Sequence, residues 1–231
     1  MTHLHYFPVG IGLATLFAAI LLGLLLLLQI GLLSRAYSAL GLDPRVATLA
    51  LFGSLLGSYI NLPLLHLPEE RIVSREVVEI FGVPFLAPVT ADWPGTILAI
   101  NVGGAVIPIL LSFYLLMRYD LWGFGALATA IVAFVVHRLA TPVPGMGISV
   151  PTFAPPLLAA VVALALSRRF AAPLAYISGS LGVLIGADLL NLGVLRSLGA
   201  RVASIGGAGT FDGIFLTGVI AVLLASLVAN R

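Results

Sequence analysis

The chain has 231 residues, of which 61% are hydrophobic and only 9% are charged, and its formal net charge is +2. A soluble domain of this size needs about a quarter of its residues charged, so this composition excludes an ordinary soluble protein and predicts an integral membrane protein. Cysteine and lysine are absent and the arginines are scattered, which excludes disulfides, thiolate metal sites, lysine Schiff-base chemistry and a basic patch for nucleic acid.

Seven apolar runs are candidates for membrane-spanning helices, each of which takes about 20 residues. They predict an all-α fold, with residues 1–231 forming one polytopic bundle of about seven spans. The first run is too long and lacks the charged flank of a signal peptide, so we expect it to be retained. The predicted spans are Phe7–Ser34, Val46–Leu65, Thr96–Met117, Leu121–Leu139, Phe153–Ser167, Ala171–Leu192 and Phe211–Ala229.

Arginine placement predicts the orientation of this bundle. The Arg168–Arg169 pair lies in the short loop between the fifth and sixth predicted spans. Short cytoplasmic loops are enriched in arginine, so we expect the N-terminus outside, the C-terminus in the cytoplasm and the lipid bilayer as the main partner.

Two of the outer loops are typical of short extended hairpins. The segments Ile72–Val89 and Val194–Gly209 are rich in β-branched residues and interrupted by glycine or proline. Gly-Ser-Leu occurs in the helix before each loop and an acidic residue follows each, which suggests a parallel repeat of spans two and three with spans six and seven. Chance recurrence of small residues in membrane helices is the alternative.

Asp188 lies inside the sixth predicted span, near its outer end, and Asn191 follows it. A carboxylate in the membrane is costly unless it meets water, a partner or a proton, so it is a candidate functional residue. The alternative is an interfacial aspartate that only hydrogen-bonds a neighbouring helix.

A second acid follows a small-residue segment before the seventh span. Gly206, Gly207 and Gly209 allow sharp backbone turns and close chain approach. Thr210 or Asp212 can cap the following helix, which is the alternative to a catalytic role. Because the sixth and seventh spans are consecutive, Asp188 and Asp212 are expected at similar depth. Two facing carboxylates share one proton, which suits either water activation or cation and proton transport.

Further polar residues are candidates for substrate or ion binding. Asn101, Gly103 and Gly104 precede a proline in the third predicted span, which predicts a broken helix of the kind that lines transporter sites; a packing notch is the alternative. Asp92 precedes this span. His137 ends the fourth span and is either a proton donor, a metal ligand or simply solvated. Metallopeptidase, serine-esterase and nucleotide-binding motifs are absent, so we assign no metal site and expect no cofactor.

The stretches Gly186–Leu192, Ser204–Phe215 and Asn101–Ala105 resemble an uncharacterised prokaryotic membrane-protein family, domain of unknown function 1614. The resemblance covers nearly the whole chain and implies a membrane location, in a prokaryotic plasma membrane, without implying an activity.

The layout also resembles intramembrane aspartyl proteases of the presenilin and signal-peptide-peptidase type, which place one Asp in each of two consecutive helices. Asp188 and Asp212 would take those roles. The letters depart from that pattern: Ala187 replaces the motif tyrosine, two residues separate Gly209 from Asp212, and no span follows the seventh to supply a Pro-Ala-Leu motif.

These observations leave three functions open. The first is a membrane-embedded diaspartyl hydrolase acting on a transmembrane peptide, with Asp188 and Asp212 activating water and the Gly206–Gly209 segment offering its backbone to an extended substrate. The second is a small transporter or channel that binds a cation or a proton-coupled solute at the same polar site. The third is a non-catalytic membrane scaffold. The sequence does not indicate an oligomeric state.

Overall fold

The computed structural model describes residues 16, 18–25, 39–67, 70–80, 83–93, 95–143, 147–195, 202–207 and 213–229. This part of the chain is mostly helical, with short strands between the helices. The helices are α1 (Pro44–Gly57), α2 (Ile107–Tyr119), α3 (Trp122–Leu139), α4 (Ala154–Leu166), α5 (Ala171–Val183), α6 (Leu192–Leu195) and α7 (Gly213–Ala229). The strands are β1 (Asn61–Leu67), β2 (Glu70–Ile80), β3 (Val83–Trp93), β4 (Thr96–Asn101), β5 (Thr141–Val143), β6 (Gly147–Ser149) and β7 (Val202–Ile205).

Two π-helical turns interrupt this regular structure. The first π turn, Val102–Val106, connects β4 to α2 without a loop. The second π turn, Leu184–Asp188, continues α5 and is followed by a 3₁₀ turn at Leu189–Asn191. Single π turns inside helices occur frequently at functional sites because they expose backbone groups that a regular helix would bond internally.

Within the described ranges, three helical stretches are long and apolar enough to cross a membrane: Val102–Tyr119, Trp122–Leu139 and Ala171–Val194. Helices α4 and α7 are also apolar but shorter. These five coincide with the third to seventh predicted spans. Of the first predicted span, residues 16 and 18–25 are described and are helical. The count of seven spans therefore stays a prediction.

The second and third predicted spans are partly wrong, because each contains a strand. The apolar run of the second changes from helix α1 to strand β1 at Asn61, and Pro63 then prevents further helix. The third begins as strand β4 and becomes helical only after Asn101. Short apolar runs do not distinguish a buried strand from a helix by periodicity, so an all-α fold is also wrong in this detail.

The sheet made by these strands brings three distant segments together. Strand β4 lies at its centre, antiparallel to β1 and parallel to β7. Its register pairs Leu62 with Ile100 on one side and Ala99 with Ser204 on the other. Because β4 runs directly into the first π turn, the sheet fixes the start of that helical stretch.

The first predicted hairpin is confirmed and is longer than expected. Strands β2 and β3 pair antiparallel over eleven residues each in a separate two-stranded sheet. The second predicted hairpin stays a prediction; in the described part of Val194–Gly209, strand β7 pairs with β4. The pairing with β4 places β7 beside the first π turn.

Helix α5 is the centre of the bundle, and every residue of it except Leu181 is buried. Small residues allow its close crossings, as is typical of membrane helices. A Cβ on Gly182 would lie 2.6 Å from Cγ1 of Val132 in α3, and the backbone of Gly179 lies beside that of Gly218 in α7. These crossings hold the second π turn against the end of α3.

Candidate functional site

Asp188 ends the second π turn and is partly buried there. Its carboxylate Oδ2 accepts a hydrogen bond of 2.7 Å from the backbone N–H of Gly206, 18 residues later in the chain. A carboxylate bonded to a backbone amide is held in a defined position. This bond joins the end of the central helix to the end of strand β7.

Asn191 stabilises the irregular backbone around Asp188. Its Nδ2 donates to the carbonyl oxygens of Gly186 at 3.0 Å and of Ala187 at 2.9 Å. Carbonyls in a helix that is not regularly bonded need another donor, especially inside a membrane. The buried Asn191 amide provides it, so the break in the helix is built into the sequence.

His137 contacts the same amide from the end of α3. Its Nδ1 lies 3.2 Å from Asn191 Nδ2. The two carbonyl acceptors fix the orientation of the Asn191 amide, since its oxygen would repel them. The nitrogen of Asn191 therefore faces His137, and Nδ1 must accept the hydrogen bond.

Gly206 and Gly207 make the turn that follows β7. Their φ angles are +88° and +104°, in the region that favours glycine. A Cβ on Gly206 would lie 2.7 Å from the backbone nitrogen of Ala105 in the first π turn. At Gly206 another segment of the chain does approach closely, and that segment is the first π turn.

Asn101 is the centre of a second polar cluster and is 1% exposed. Its Nδ2 donates to the carbonyl oxygen of Ser58 at 2.7 Å and to Oδ1 of Asn61 at 3.0 Å. Its Oδ1 accepts from the N–H of Gly104 at 2.8 Å, and Ser204 donates to Asn61 Oδ1 at 2.6 Å. Asn101 therefore links α1, β1 and the first π turn, and Asn61 extends the cluster to β7.

The structure brings most of the predicted site residues together, in two adjoining groups. Ser204 belongs to the Asn101 cluster, and Gly206 bonds Asp188. Only one residue lies between Ser204 and Gly206, at the end of β7, so the two groups adjoin there. The members of the joint site are Asn61, Asn101, Gly103, Gly104, Asp188, Asn191, His137, Ser204, Gly206 and Gly207.

Three further predicted site residues are not described, and the backbone of a fourth belongs to another part of the fold. Gly209, Thr210 and Asp212 lie outside the described residues. The backbone of Asp92 belongs to the β2–β3 hairpin, where it stands opposite Arg71, and not to the joint site. Within the described ranges, no group of three or more His, Cys, Asp or Glu residues is placed to hold a metal ion.

Sequence reasoning missed Asn61 and Ser204. Each is a single polar residue beside a loop, and only the pairing of β1, β4 and β7 brings them to Asn101. Asn61 is a polar residue inside the apolar run Val46–Leu65, which is the signal in the sequence that could have indicated it.

The comparisons with known proteins give a family and no activity. No curated protein matches the chain, and no solved structure matches it. The family described as "Protein of unknown function (DUF1614)" matches residues 55–224, which is well over half of the 231 residues. This match includes α5, β7 and both π turns, and the chain belongs to that family.

Proposed function

We propose that the chain is a membrane-embedded diaspartyl hydrolase, in which Asp188 and Asp212 share a proton and activate water to attack a peptide bond. The observation that carries this proposal is the hydrogen bond from Gly206 N–H to the Asp188 carboxylate. It holds a candidate catalytic acid at the end of a strand, where an extended peptide can reach it.

Strand β7 is suited to bind such a peptide. Among the described strands it lies at the edge of its sheet, with β4 on one side. The other edge of β7 presents backbone donors and acceptors that an extended substrate can bond by strand addition. A substrate strand paired there would run past Gly206 and thus past the carboxylate of Asp188.

The course of α7 supports the second half of the pair. Helix α7 begins at Gly213, directly after Asp212, and meets α5 where Gly218 lies beside Ser180. Counting along antiparallel helices, at about 1.5 Å per residue, Gly213 is level with Ile185, about one turn from Asp188. An aspartate that immediately precedes Gly213 in the sequence fits the presenilin-type layout of one acid on each of two consecutive helices.

Each acid has a distinct role in this proposal. One carboxylate, ionised, takes a proton from the attacking water, while the other, protonated, donates to the carbonyl oxygen of the scissile bond. The bond between water oxygen and carbonyl carbon forms first. The C–N bond then breaks as the amine nitrogen takes up the proton that the water gave, while one hydroxyl of the tetrahedral intermediate returns its proton to the second carboxylate and becomes the carbonyl of the product acid. In the predicted topology this site faces the outer side of a prokaryotic membrane.

The test uses the purified protein in liposomes with a panel of single-span transmembrane peptides, and mass spectrometry of the products. Asp188→Asn and Asp212→Asn should each lower cleavage by at least about a thousandfold, because half a dyad cannot act as both acid and base. Asp120→Asn is the matched control. Asp120 has a φ of +49° at the end of α2, a conformation that asparagine also adopts readily. Cleavage that survives in either dyad variant would end the proposal.

A specific observation favours a second function, a transporter or channel for a cation or proton-coupled solute. The long helical stretch from Ala171 is broken by the second π turn and the 3₁₀ turn near its end, and Asp188 lies within this break. Broken helices with an acid at the break are typical of transporter sites. Proton or sodium flux into liposomes that Asp188→Asn abolishes, together with no peptide cleavage, would establish this function over the hydrolase.

A further inference from the structure

The β2–β3 hairpin has two outer edges that differ in their backbone donors. Pro84 stands opposite Glu79, and Pro88 stands opposite Arg75. In an antiparallel pair, successive residues turn their N–H groups alternately toward the partner strand and away from it. Proline has no N–H, so within sheets it occupies positions that face away from the partner. Arg75 and Glu79 therefore also turn their N–H and C=O groups away from β3.

The same alternation extends along both strands. On the outer edge of β3, two of the alternate positions are prolines and cannot donate. On the outer edge of β2, every alternate position from Arg71 to Glu79 has an N–H, since β2 contains no proline. An edge with a complete row of donors and acceptors is a template for another strand. The hairpin is thus closed to pairing on the β3 side and open on the β2 side.

We propose that the outer edge of β2 pairs antiparallel with β2 of a second copy of this chain, with Val77 at the two-fold axis and Arg75 opposite Glu79. The dimer contains one four-stranded sheet, in which the two β2 strands are central and the proline-bearing β3 strands are outermost. This proposal does not rest on the proposed function.

The charges on β2 select this register. Residues whose backbone groups face outward must stand opposite each other, so the axis passes through one residue of β2. An axis at Arg75 would oppose Arg71 to Glu79 but would also set the two Arg75 residues directly against each other, which is destabilising. An axis at Glu76 would do the same to two glutamates. An axis at Val77 instead gives two opposite-charge positions, Arg75 with Glu79 in both directions, around a valine pair. The two strands then overlap over Ser74–Ile80.

Cross-linking of single-cysteine variants tests the register, because the natural chain has no cysteine. Directly opposed residues in an antiparallel pair have Cα atoms about 5.5 Å apart, which suits a disulfide. Val77→Cys should therefore give the largest yield of disulfide-linked dimer on mild oxidation in native membranes. Leu86→Cys is the matched control, since Leu86 stands opposite Val77 within the hairpin but on the outer edge of β3. Equal yields at these two positions, or a maximum at Arg75→Cys, would overturn the proposal.

Charge reversal tests the pairing without a cysteine. Arg75→Glu or Glu79→Arg alone should weaken dimerisation in liposomes by roughly fivefold, because each makes two like-charge oppositions. The combined variant Arg75→Glu/Glu79→Arg should restore it. Dimerisation that stays unchanged in the single variants, or is not restored in the combined one, would contradict the register. Unchanged thermal unfolding of each variant in detergent shows that the helical bundle has folded.

Discussion

The two π turns of this chain solve the same problem in different ways. The first begins a membrane-length helix and the second lies near the end of one, and each is stabilised by an asparagine amide. Asn101 precedes the first π turn, and described protein groups bond both its Nδ2 and its Oδ1. Asn191 follows the second π turn, and its Nδ2 serves two released carbonyls and His137.

The two turns differ in how many of their polar atoms are hydrogen-bonded by described residues. The first π turn closes its polar groups into a network that joins a sheet to two helices, as a structural junction does. The second contains Asp188, whose Oδ2 is bonded to Gly206, while no described residue donates to its other carboxylate oxygen. Among the described residues, polarity in this membrane chain is therefore used once for a closed architectural network and once at a carboxylate that is bonded through a single oxygen.

The largest effect on stability is expected where the first π turn is tightest. A Cβ on Gly103 would overlap the carbonyl oxygen of Ser54 in α1, and these are backbone atoms that cannot move aside alone. Gly103→Ala should lower the free energy of unfolding by about 3 kcal/mol, as overpacking does, seen as a lower Tm in detergent. Gly123→Ala is the control, because nothing lies within 4 Å of its Cβ position. Equal Tm values for these two variants would show that the crossing is not close.

Replacing each asparagine with leucine compares how much each turn contributes to the free energy of unfolding. Asn101→Leu leaves the N–H of Gly104 and the carbonyl of Ser58 without their partner, and both are buried. Asn191→Leu leaves the carbonyl oxygens of Gly186 and Ala187 without this donor, in a turn that ends at the partly exposed Asp188. At about 1–3 kcal/mol for each unsatisfied buried group, Asn101→Leu should destabilise the protein more, by roughly 3 against 2 kcal/mol. The Tm values of both variants in one detergent check this order, and the reverse order would contradict the closed-network interpretation.

The sequence allowed part of this arrangement to be predicted, for a physical reason. Asp188 and Asn101 are conspicuous because a polar residue in an apolar membrane run is costly, and the glycines of β7's turn are conspicuous because they cluster. Strand β4 could not be predicted, since its apolar residues fit a membrane helix equally well. Nor could the contact of His137 with Asn191, because it depends on two helices crossing at Gly182 and Gly186. The free-energy cost of a polar residue in an apolar run can be recognised in a sequence, whereas the pairing of distant segments cannot.

A smaller effect is expected from the His137 contact. Asparagine can place an acceptor near the position of Nδ1, whereas glutamine places its amide near the position of Nε2. If the contact with Asn191 is what His137 contributes to the fold, His137→Gln should cost about 1 kcal/mol and His137→Asn less than half of that. His66→Gln, at an exposed position in β1, is the control. A Tm that falls more for the asparagine variant would mean that Nδ1 is not the nitrogen through which His137 contacts Asn191.

The smallest effect on stability is expected from the change that matters most to the proposed chemistry. Asp188→Asn keeps a carbonyl oxygen that can accept from Gly206 N–H, so the free energy of unfolding should change by less than about 0.5 kcal/mol, whereas Asp188→Leu leaves that amide unbonded and should cost about 2 kcal/mol. Thermal unfolding of both variants in detergent measures the difference. If Asp188→Asn is as damaging as Asp188→Leu, the negative charge itself holds β7 to α5. The second π turn would then be an architectural junction like the first, and the carboxylate at its end would no longer be an argument for catalysis.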